Sequence, residues 1–160
     1  MIALTRIDDR LVHGQVVEGW LPVLRAKRIL VLSDAAAGDP TQAALMRIAL
    51  PEGVSLDISP VKDGAHAFRA AAAAPERVLV LASNPADVLS LVRSGIELLS
   101  VNVGGLHYAA GHVQLGKAIY LSREDIDALA ALSELGVRLE GRAVPTDKTE
   151  DILALMEEKI

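Results

Sequence analysis

Residues 78 to 93 read VLVLASNPADVLSLVR, and this stretch decides the fold class. Val78 to Leu81 is a continuous aliphatic run, which is typical of a strand that is covered on both faces. Asn84 and Pro85 then form a helix start signal, because asparagine caps free backbone N–H groups and proline fits the first helical turn. A buried strand followed directly by a helix is the repeating unit of a parallel α/β sheet.

The same alternation continues on both sides of this stretch. Further strands are predicted at Ile2 to Ile7, Arg28 to Leu32, Val54 to Ile58, Leu98 to Val101, Ala118 to Leu121 and Val137 to Arg142. Helices are predicted at Gln15 to Arg25, Thr41 to Ala49, Ala86 to Arg93, Arg123 to Leu135 and Thr149 to Lys159. We therefore expect an α/β fold with an open, mainly parallel sheet and helices on both faces. No linker divides the chain, so residues 1 to 160 are expected to form a single domain.

The composition excludes several classes of function. Hydrophobic residues make up 51% of the 160 residues, which is enough for a globular core. The formal net charge of −5 gives no basic footprint for nucleic acid, so we expect no nucleic-acid partner. One Trp, two Tyr and one Phe leave few rings on which bases or sugars could stack. Without cysteine the chain has no disulfide, no thiolate metal site and no cysteine nucleophile.

We expect no secretion signal in the first ten residues. Charged residues stand at positions 6, 8, 9 and 10, and no later apolar run approaches the length of a membrane helix. We therefore expect a cytoplasmic protein.

The densest polar cluster, RIDDRLVHGQV from Arg6 to Val16, lies between the first predicted strand and the first predicted helix. In sheets of this kind the ligand site forms at the carboxyl ends of the strands. His13 stands just before the helix start, where unpaired N–H groups and the helix dipole favour an anion such as a phosphoryl group. The cluster therefore predicts a nucleophilic histidine in an anion-binding loop.

Four charged residues surround that histidine in the sequence. Arg6 and Arg10 are expected to hold phosphate oxygens with their guanidinium groups. Asp8 and Asp9 would repel a phosphate, so we expect them to orient the arginines or the imidazole, with Asp9 or a backbone carbonyl fixing the tautomer. The residues alone equally allow a capped loop with surface ion pairs and an ordinary helix-start histidine.

The string RIDDRLVHGQV resembles the phosphorylation-site signature of the IIB subunits of the mannose/fructose/sorbose family of the sugar phosphotransferase system. The resemblance extends through Gly19-Trp20, the NVGGL motif at 102 to 106 and the segment from Leu135 to Asp147, and thus covers nearly the whole chain. The chain departs from the family at Ser33-Asp34-Ala35, where members often have Asn-Asp or Asp-Asp, and at Leu106, where Met is common.

The resemblance implies a phosphohistidine protein. His13 would accept a phosphoryl group from a IIA component and pass it to a sugar held by the membrane components IIC and IID. Arg10 would lie near the transferred group, and the loop from Arg6 to Gln15 would form its cradle, with Gly14 and Gln15 among the phosphate-binding residues. The resemblance implies Nδ1 as the modified nitrogen, a peripheral association with the membrane transporter, and no metal or cofactor.

Two other functions remain compatible with the sequence. The chain could be a regulatory module whose phosphorylation state on His13 is a signal, or a small phosphatase with Asp8 or Asp9 as the general acid.

Three further features have ordinary structural interpretations. Asn102 to Gly105 follows a strand, and the sequence equally allows a plain tight turn or a segment that presents backbone N–H groups near the His13 loop. His107 and His112 are expected to lie in a polar loop, and Trp20 is expected to be a core anchor.

Overall fold

The computed structural model describes all residues from 1 to 160. The strands are β1 Ile2–Asp8, β2 Arg28–Leu32, β3 Ser55–Ser59, β4 Val78–Ala82, β5 Ser100–Gly105, β6 Val113–Gln114, β7 Tyr120–Leu121, β8 Arg138–Gly141 and β9 Glu150–Asp151. The α-helices are α1 Leu21–Leu24, α2 Asp34–Ala37, α3 Pro40–Ala49, α4 Gly64–Ala73, α5 Pro85–Arg93, α6 Arg123–Glu134 and α7 Ile152–Lys159. A π-helical stretch, Gln15–Trp20, precedes α1, and a 3-10 turn, Val61–Asp63, precedes α4.

Seven strands form the main sheet in the order β3-β2-β4-β1-β5-β8-β9. Every neighbouring pair is parallel except β8 and β9, which are antiparallel. The strands β6 and β7 form a separate antiparallel ribbon. This arrangement confirms the predicted α/β fold with a mainly parallel sheet.

Helices cover both faces of the sheet, as predicted. On β2 the side chains of Ile29 and Val31 pack with Trp20 and Met46, which belong to the elements that follow β1 and β2. We call this side of the sheet face A. The alternate residues of the same strand pack with α4 and α5 on the opposite side, face B. The strand β2 is therefore buried on both faces, which explains its continuous aliphatic sequence.

Face A changes character across the sheet. In register on neighbouring strands, Arg6 of β1 pairs with Asn102 of β5, and Asn102 pairs with Glu140 of β8. The residues that alternate with them, such as Val103 and Leu139, belong to the apolar core of face B. The sheet thus has an apolar face A on β2 and β4 and a polar strip on face A of β1, β5 and β8.

Side-chain caps begin three of the helices within one residue of their predicted starts. The Asn84 side chain accepts a hydrogen bond from the Asp87 backbone N–H, and Asp39 accepts one from Gln42. Ser122 and Asp125 form a reciprocal capping box, so an aspartate serves here in place of the usual Glu or Gln.

The predicted turn at Asn102 to Gly105 is wrong, because these residues continue β5. The strand was expected to end at Val101, since two consecutive glycines favour a turn. Neither glycine has a positive φ, and the space beside them is filled by other side chains. A Cβ on Gly104 would lie 2.1 Å from the guanidinium carbon of Arg6. Gly104 is therefore required for close packing rather than for a turn.

Other element boundaries also differ from the prediction. The helix expected from Thr149 begins at Ile152, because Glu150–Asp151 pairs with β8 and Asp151 caps the helix. The strand expected at Ala118 to Leu121 is reduced to the two residues of β7. Short strand pairs of this kind have no periodic signal in the sequence, so pattern analysis does not detect them.

Candidate functional site

The strand β1 delivers the polar cluster to the carboxyl edge of the sheet. It lies between β4 and β5, and its last residue, Asp8, pairs with Gly105. Arg6 and Asp8 are two residues apart in the strand, so both side chains point to face A. The loop that follows carries residues 9 to 14 to the first helical stretch. This position agrees with the general location of ligand sites in parallel sheets.

The loop after β1 turns sharply at Leu11. Asp8 accepts hydrogen bonds from Arg10 N–H at its side-chain Oδ1 (3.1 Å) and from Leu11 N–H at its carbonyl (3.0 Å). Leu11 has φ of 57° and is buried in the core of face A. A left-handed conformation is unfavourable for leucine by roughly 1–2 kcal/mol, and the burial of its side chain offsets that cost. The turn at Leu11 determines the direction in which the following residues run back toward the Asp8 side chain.

His13 lies over that carboxylate. Its Nε2 is 2.8 Å from Asp8 Oδ2, and its side chain is 12% exposed. The other ring nitrogen, Nδ1, has no hydrogen-bond partner in the protein. A carboxylate partner favours a proton on Nε2, and in the neutral ring this leaves the lone pair on Nδ1. The arrangement holds the imidazole with one nitrogen anchored and the other available.

Free backbone donors lie next to the ring. The N–H groups of His13, Gly14 and Gln15 have no acceptor within the chain, whereas the His13 carbonyl accepts from Val16 and Val17. No atom lies within 4 Å of a Cβ built on Gly14, so the space at this position is open. Consecutive unpaired N–H groups attract anions. The start of the helical stretch is therefore suited to a phosphoryl group.

The Asp8 carboxylate is fully buried and ionised. Burial alone would raise its pKa, but the hydrogen bond with His13 and the charge of Arg6 outweigh that effect, so the pKa of Asp8 is lowered. Arg6 Nη2 donates to Asp8 Oδ2 at 3.0 Å, and both side chains have no exposed surface. The buried negative charge is thus compensated by a buried positive one.

The whole chain matches one family of known proteins. Residues 2–160 match the model of the PTS system sorbose subfamily IIB component. The sorbose-specific EIIB component of Klebsiella pneumoniae is 38% identical over 152 residues, which cover 95% of this chain and 93% of that protein. The chain belongs to the sorbose subfamily of IIB components.

Other similar proteins agree with the family. The fructose-specific EIIB component of Bacillus subtilis is 36% identical and covers 97% of this chain, with 95% of its own length matched. The crystal structure of the IIBSor domain of the Klebsiella pneumoniae sorbose permease superposes with a TM-score of 0.92 at 36% identity, over 100% of this chain and 98% of that one. The resemblance inferred from RIDDRLVHGQV is therefore confirmed.

Membership of the IIB family indicates the general function of the chain. Members of the IIB family are sugar phosphotransferase components that work with other components of the phosphotransferase system, which supports a phosphocarrier role in sugar uptake for this chain. The mannose-specific EIIAB component of Escherichia coli is 39% identical over 147 residues, and the match covers 92% of this chain but 46% of that protein. No helix here combines the length and the apolar character that a membrane crossing needs.

The structure revises the expectation for Arg6. Its side chain has no exposed surface, and the four terminal N–H groups are used by Asp8, Asn102 and the carbonyls of Arg142 and Ala143. Burial lowers the pKa of Arg6, while the adjacent Asp8 opposes that change. Arg6 therefore supports Asp8 from behind and does not reach a phosphate in solvent.

Arg10 and Gln15 stay on the open side of the IIB site. Both are exposed, and Arg10 Nη2 donates to Gln15 Oε1 at 3.2 Å. The remaining guanidinium donors of Arg10 have no acceptor in the protein. Arg10 is thus the arginine of the cluster that remains available to an incoming anion.

The two aspartates are not equivalent. Asp8, and not Asp9 or a backbone carbonyl, contacts the His13 ring, so that part of the expectation is wrong. The Asp9 carboxylate instead accepts from the His107 backbone N–H at 2.8 Å and contacts His107 Nδ1. Consecutive residues at the end of a strand point to different sides, and this separates the two carboxylates.

Sequence analysis missed two side chains behind the site. Asn102 was assigned to a turn, yet its side chain is fully buried against Arg6. The indole of Trp20 is buried as predicted, but it also lies against the guanidinium carbons of Arg6 (4.9 Å) and Arg142 (5.1 Å). The available signal was a polar residue inside an apolar run, because Asn102 stands between Val101 and Val103.

Proposed function

We propose that His13 carries a phosphoryl group from a IIA component to a sugar during uptake through the membrane components IIC and IID. The observation that carries the proposal is the state of the His13 ring: Nε2 is bound to buried Asp8, and Nδ1 is unpaired beside three free backbone N–H groups. The chain then acts as a protein-Nπ-phosphohistidine:sugar phosphotransferase in the cytoplasm, in peripheral association with its membrane partners.

The first transfer is an attack by Nδ1 on the phosphorus of the donor phosphohistidine. The P–N bond of the donor breaks, its electron pair returns to the donor imidazole, and a new P–N bond forms at Nδ1 of His13. The ring becomes cationic as that bond forms, and the ionised Asp8 carboxylate at Nε2 stabilises this charge. Positioning and charge stabilisation account for most of the catalysis of phosphoryl transfer.

The transferring oxygens need positive partners on the open side of the loop. Arg10 can supply a planar pair of donors, and the N–H groups of Gly14 and Gln15 can bind a further oxygen. Gly14 leaves room for the group, since the space beside its Cα is empty.

In the second transfer a sugar hydroxyl attacks the phosphorus. The P–Nδ1 bond breaks, the imidazole regains its lone pair, and it can take up the proton that the hydroxyl loses. No metal or cofactor enters either step. The family resemblance assigns the sugar pocket to the membrane components, so the choice of sugar is made outside this chain.

Labelled phosphoryl transfer tests the assignment of His13. The protein is incubated with a phosphorylated IIA component and the acid-labile adduct is mapped by mass spectrometry. The His13→Ala variant should carry no label. The His107→Ala variant is the matched control, because His107 is also paired with an aspartate near the site, and it should be labelled as the wild type is. A label that survives His13→Ala refutes the proposal.

Membrane vesicles containing IIC and IID separate transport from regulation. If the chain serves a transporter, vesicles supplied with the phosphorylated chain should convert external sugar to sugar phosphate inside. Phosphorylation of His13 without any sugar phosphate would favour the regulatory alternative.

Titration with the IIA component tests the docking face. We expect chemical-shift changes centred on residues 6–15 that reach the loops 33–39 and 102–111, and an affinity that falls as salt rises, because an arginine-bearing loop meets the partner. Shift changes confined to the β3 edge of the sheet, with the His13 loop unaffected, would contradict both the docking face and the transfer step.

A further inference from the structure

We propose that Asn102 is a positioning residue for His13 and acts through Arg6 and Asp8. The inference rests on the proposed function, since it assigns the purpose of the arrangement to phosphoryl transfer at Nδ1. The coupling itself is a property of the free protein and can be tested without a donor.

A continuous series of side-chain hydrogen bonds joins β8 to the imidazole. Asn102 Nδ2 donates to Glu140 Oε1 at 3.4 Å, and Asn102 Oδ1 accepts from Arg6 Nη1. Arg6 Nη2 donates to Asp8 Oδ2, the same oxygen that contacts His13 Nε2. The amide orientation of Asn102 follows from these partners, because one side meets a donor and the other meets an acceptor.

Backbone and aromatic groups also hold the Arg6 side chain, and together with Asn102 and Asp8 they form a cage around its guanidinium group. The Ala143 carbonyl accepts both from Arg6 Nη2 (2.9 Å) and from the Trp20 indole N–H (3.1 Å). The Trp20 ring packs on one side of the guanidinium. The missing side chain of Gly104 leaves just the space that the guanidinium occupies. Asn102 and Asp8 are the two side chains that hydrogen-bond the guanidinium, and Asp8 is the one that faces His13.

An amide suits position 102 better than either obvious alternative. An apolar side chain would leave one N–H of a buried guanidinium without its side-chain acceptor, which is unfavourable. A carboxylate would compete with Asp8 for the Arg6 charge and add a second negative charge in a fully buried space. A neutral acceptor orients Arg6 while leaving Asp8 as the charged partner of both Arg6 and His13.

The consequence for the chemistry is control of the His13 tautomer. A fixed Arg6 holds Asp8 Oδ2 under Nε2, so the proton stays on Nε2 and the lone pair stays on Nδ1. If Arg6 could rotate, Asp8 would follow it, and the population with the proton on Nδ1, which cannot attack phosphorus, would rise. Asn102 thereby affects the His13 nucleophile through two intervening side chains, those of Arg6 and Asp8.

The test uses two variants at position 102 and one control. Asn102→Leu removes both hydrogen bonds while keeping the number and branching of the side-chain heavy atoms, and Asn102→Asp keeps the acceptor but adds charge. Thr5→Val is the control, because Thr5 is also buried, precedes Arg6 in β1 and points to the opposite face. Nitrogen-15 NMR of the His13 ring reports its tautomer and its titration in the free protein, and labelled transfer from the IIA component reports the rate.

Each variant has a distinct expected signature. Asn102→Leu should increase the Nδ1–H tautomer and slow transfer about tenfold, the loss typical of groups that orient a reacting side chain. Asn102→Asp should slow transfer most at low pH, since the added negative charge favours the imidazolium form of His13, which cannot attack phosphorus. Its transfer rate should recover toward that of the wild type as the pH is raised. Thr5→Val should leave the His13 tautomer and the transfer rate unchanged.

The charges around His13 define that pH experiment. They are Asp8 and Arg6 on β1, Asp9 and Arg10 in the loop, His107 beyond β5, Glu140 on β8, and Arg142 directly after β8. The Asn102→Asp comparison is made at constant ionic strength, so that the substitution is the one change among them.

Several outcomes would overturn the proposal. A folded Asn102→Leu variant with the wild-type tautomer does so, as does an Asn102→Asp variant that is slowed equally at every pH. If neither variant folds, the wild type decides: its Asn102 side-chain amide signals must shift as His13 is titrated, and unshifted signals refute the coupling. Wild-type coupling without any labelling of His13 would leave the positioning intact and would refute the proposed function instead.

Discussion

Two neighbouring aspartates in this protein each hold a histidine, and the two pairs differ in almost every other respect. The Asp8 and His13 side chains are 0% and 12% exposed, whereas those of Asp9 and His107 are 31% and 55% exposed. Asp8 is backed by the buried guanidinium of Arg6, while Asp9 is backed by the His107 backbone N–H.

The difference shows what burial adds to a histidine–carboxylate pair. At the exposed pair, water and salt screen the charges, so such pairs contribute about 0–1 kcal/mol. At the buried pair the carboxylate needs a compensating charge, and once it has one it can hold the imidazole in one orientation. The same two residue types thus give a surface contact in one place and a prepared nucleophile in the other.

Removing the buried carboxylate should have the largest effect. Asp8→Asn keeps the shape but leaves the Arg6 charge uncompensated, which costs about 3 kcal/mol or more of the free energy of unfolding. The imidazole also loses its charged partner, so transfer to His13 should slow by about a hundredfold or more. Urea denaturation measures the first quantity and labelled transfer the second. A variant with wild-type stability and rate would show that the buried pair is no different from the exposed one.

Part of the Asp8 contribution should be lost in acid. The pKa of Asp8 is lowered in the folded protein, so the unfolded chain, with a carboxyl pKa of about 3.9, binds this proton first as the pH falls. The stability from ionised Asp8 is fully present above about pH 4 and disappears as the pH falls through the lower, folded pKa. The free energy of unfolding should therefore fall more steeply below pH 4 in the wild type than in Asp8→Asn. If the free energy of unfolding depended on pH in the same way in both proteins, the contribution assigned to ionised Asp8 would be contradicted.

A methyl group behind the buried pair should disturb it from a distance. In Gly104→Ala the added Cβ would lie 2.1 Å from the Arg6 guanidinium carbon, and the caged side chain has no free direction of movement. We expect a loss of about 2 kcal/mol in the free energy of unfolding, as is usual for overpacking. The matched variant Gly14→Ala meets no atom within 4 Å and should keep its stability within about 0.5 kcal/mol. Equal stability of the two variants would argue against the cage.

The exposed cation of the site should matter through its geometry. Arg10→Lys keeps the charge but replaces a planar fork with a point charge, so transfer should slow by about tenfold, which corresponds to about 1.4 kcal/mol of the barrier. The free energy of unfolding should not change, because Arg10 is exposed. A variant that transfers at the wild-type rate would assign Arg10 to the surface contact with Gln15 alone.

The exposed pair should show the smallest effects. Asp9→Asn should change the free energy of unfolding by less than about 1 kcal/mol, and its transfer rate should stay within about threefold of the wild type. Stability and rate are measured as for Asp8→Asn. An effect as large as that of Asp8→Asn would mean that the contact with His107 also orients the loop around His13.

Local sequence signals determined the fold and the location of the site. Continuous aliphatic strands, the cap at Asn84 and the cluster after β1 act over a few residues, so they could be identified without coordinates. The string RIDDRLVHGQV also placed the chain in its family. These features are local because backbone hydrogen bonding and side-chain alternation repeat within a single element.

Long-range packing determined which of the charged residues are buried and which remain exposed at the site. Nothing near Arg6 in the sequence shows that Asn102 and the carbonyls of Arg142 and Ala143 will enclose it, since those groups lie 96 to 137 residues away. Nor does the sequence show which of two adjacent aspartates will face His13. Register between parallel strands brings Arg6 beside Asn102, and burial then turns a charge that could have met solvent into a support for the Asp8 carboxylate. The sequence by itself determined which charged residues lie near His13 along the chain, and the tertiary structure determined which of them are buried and which remain exposed to solvent.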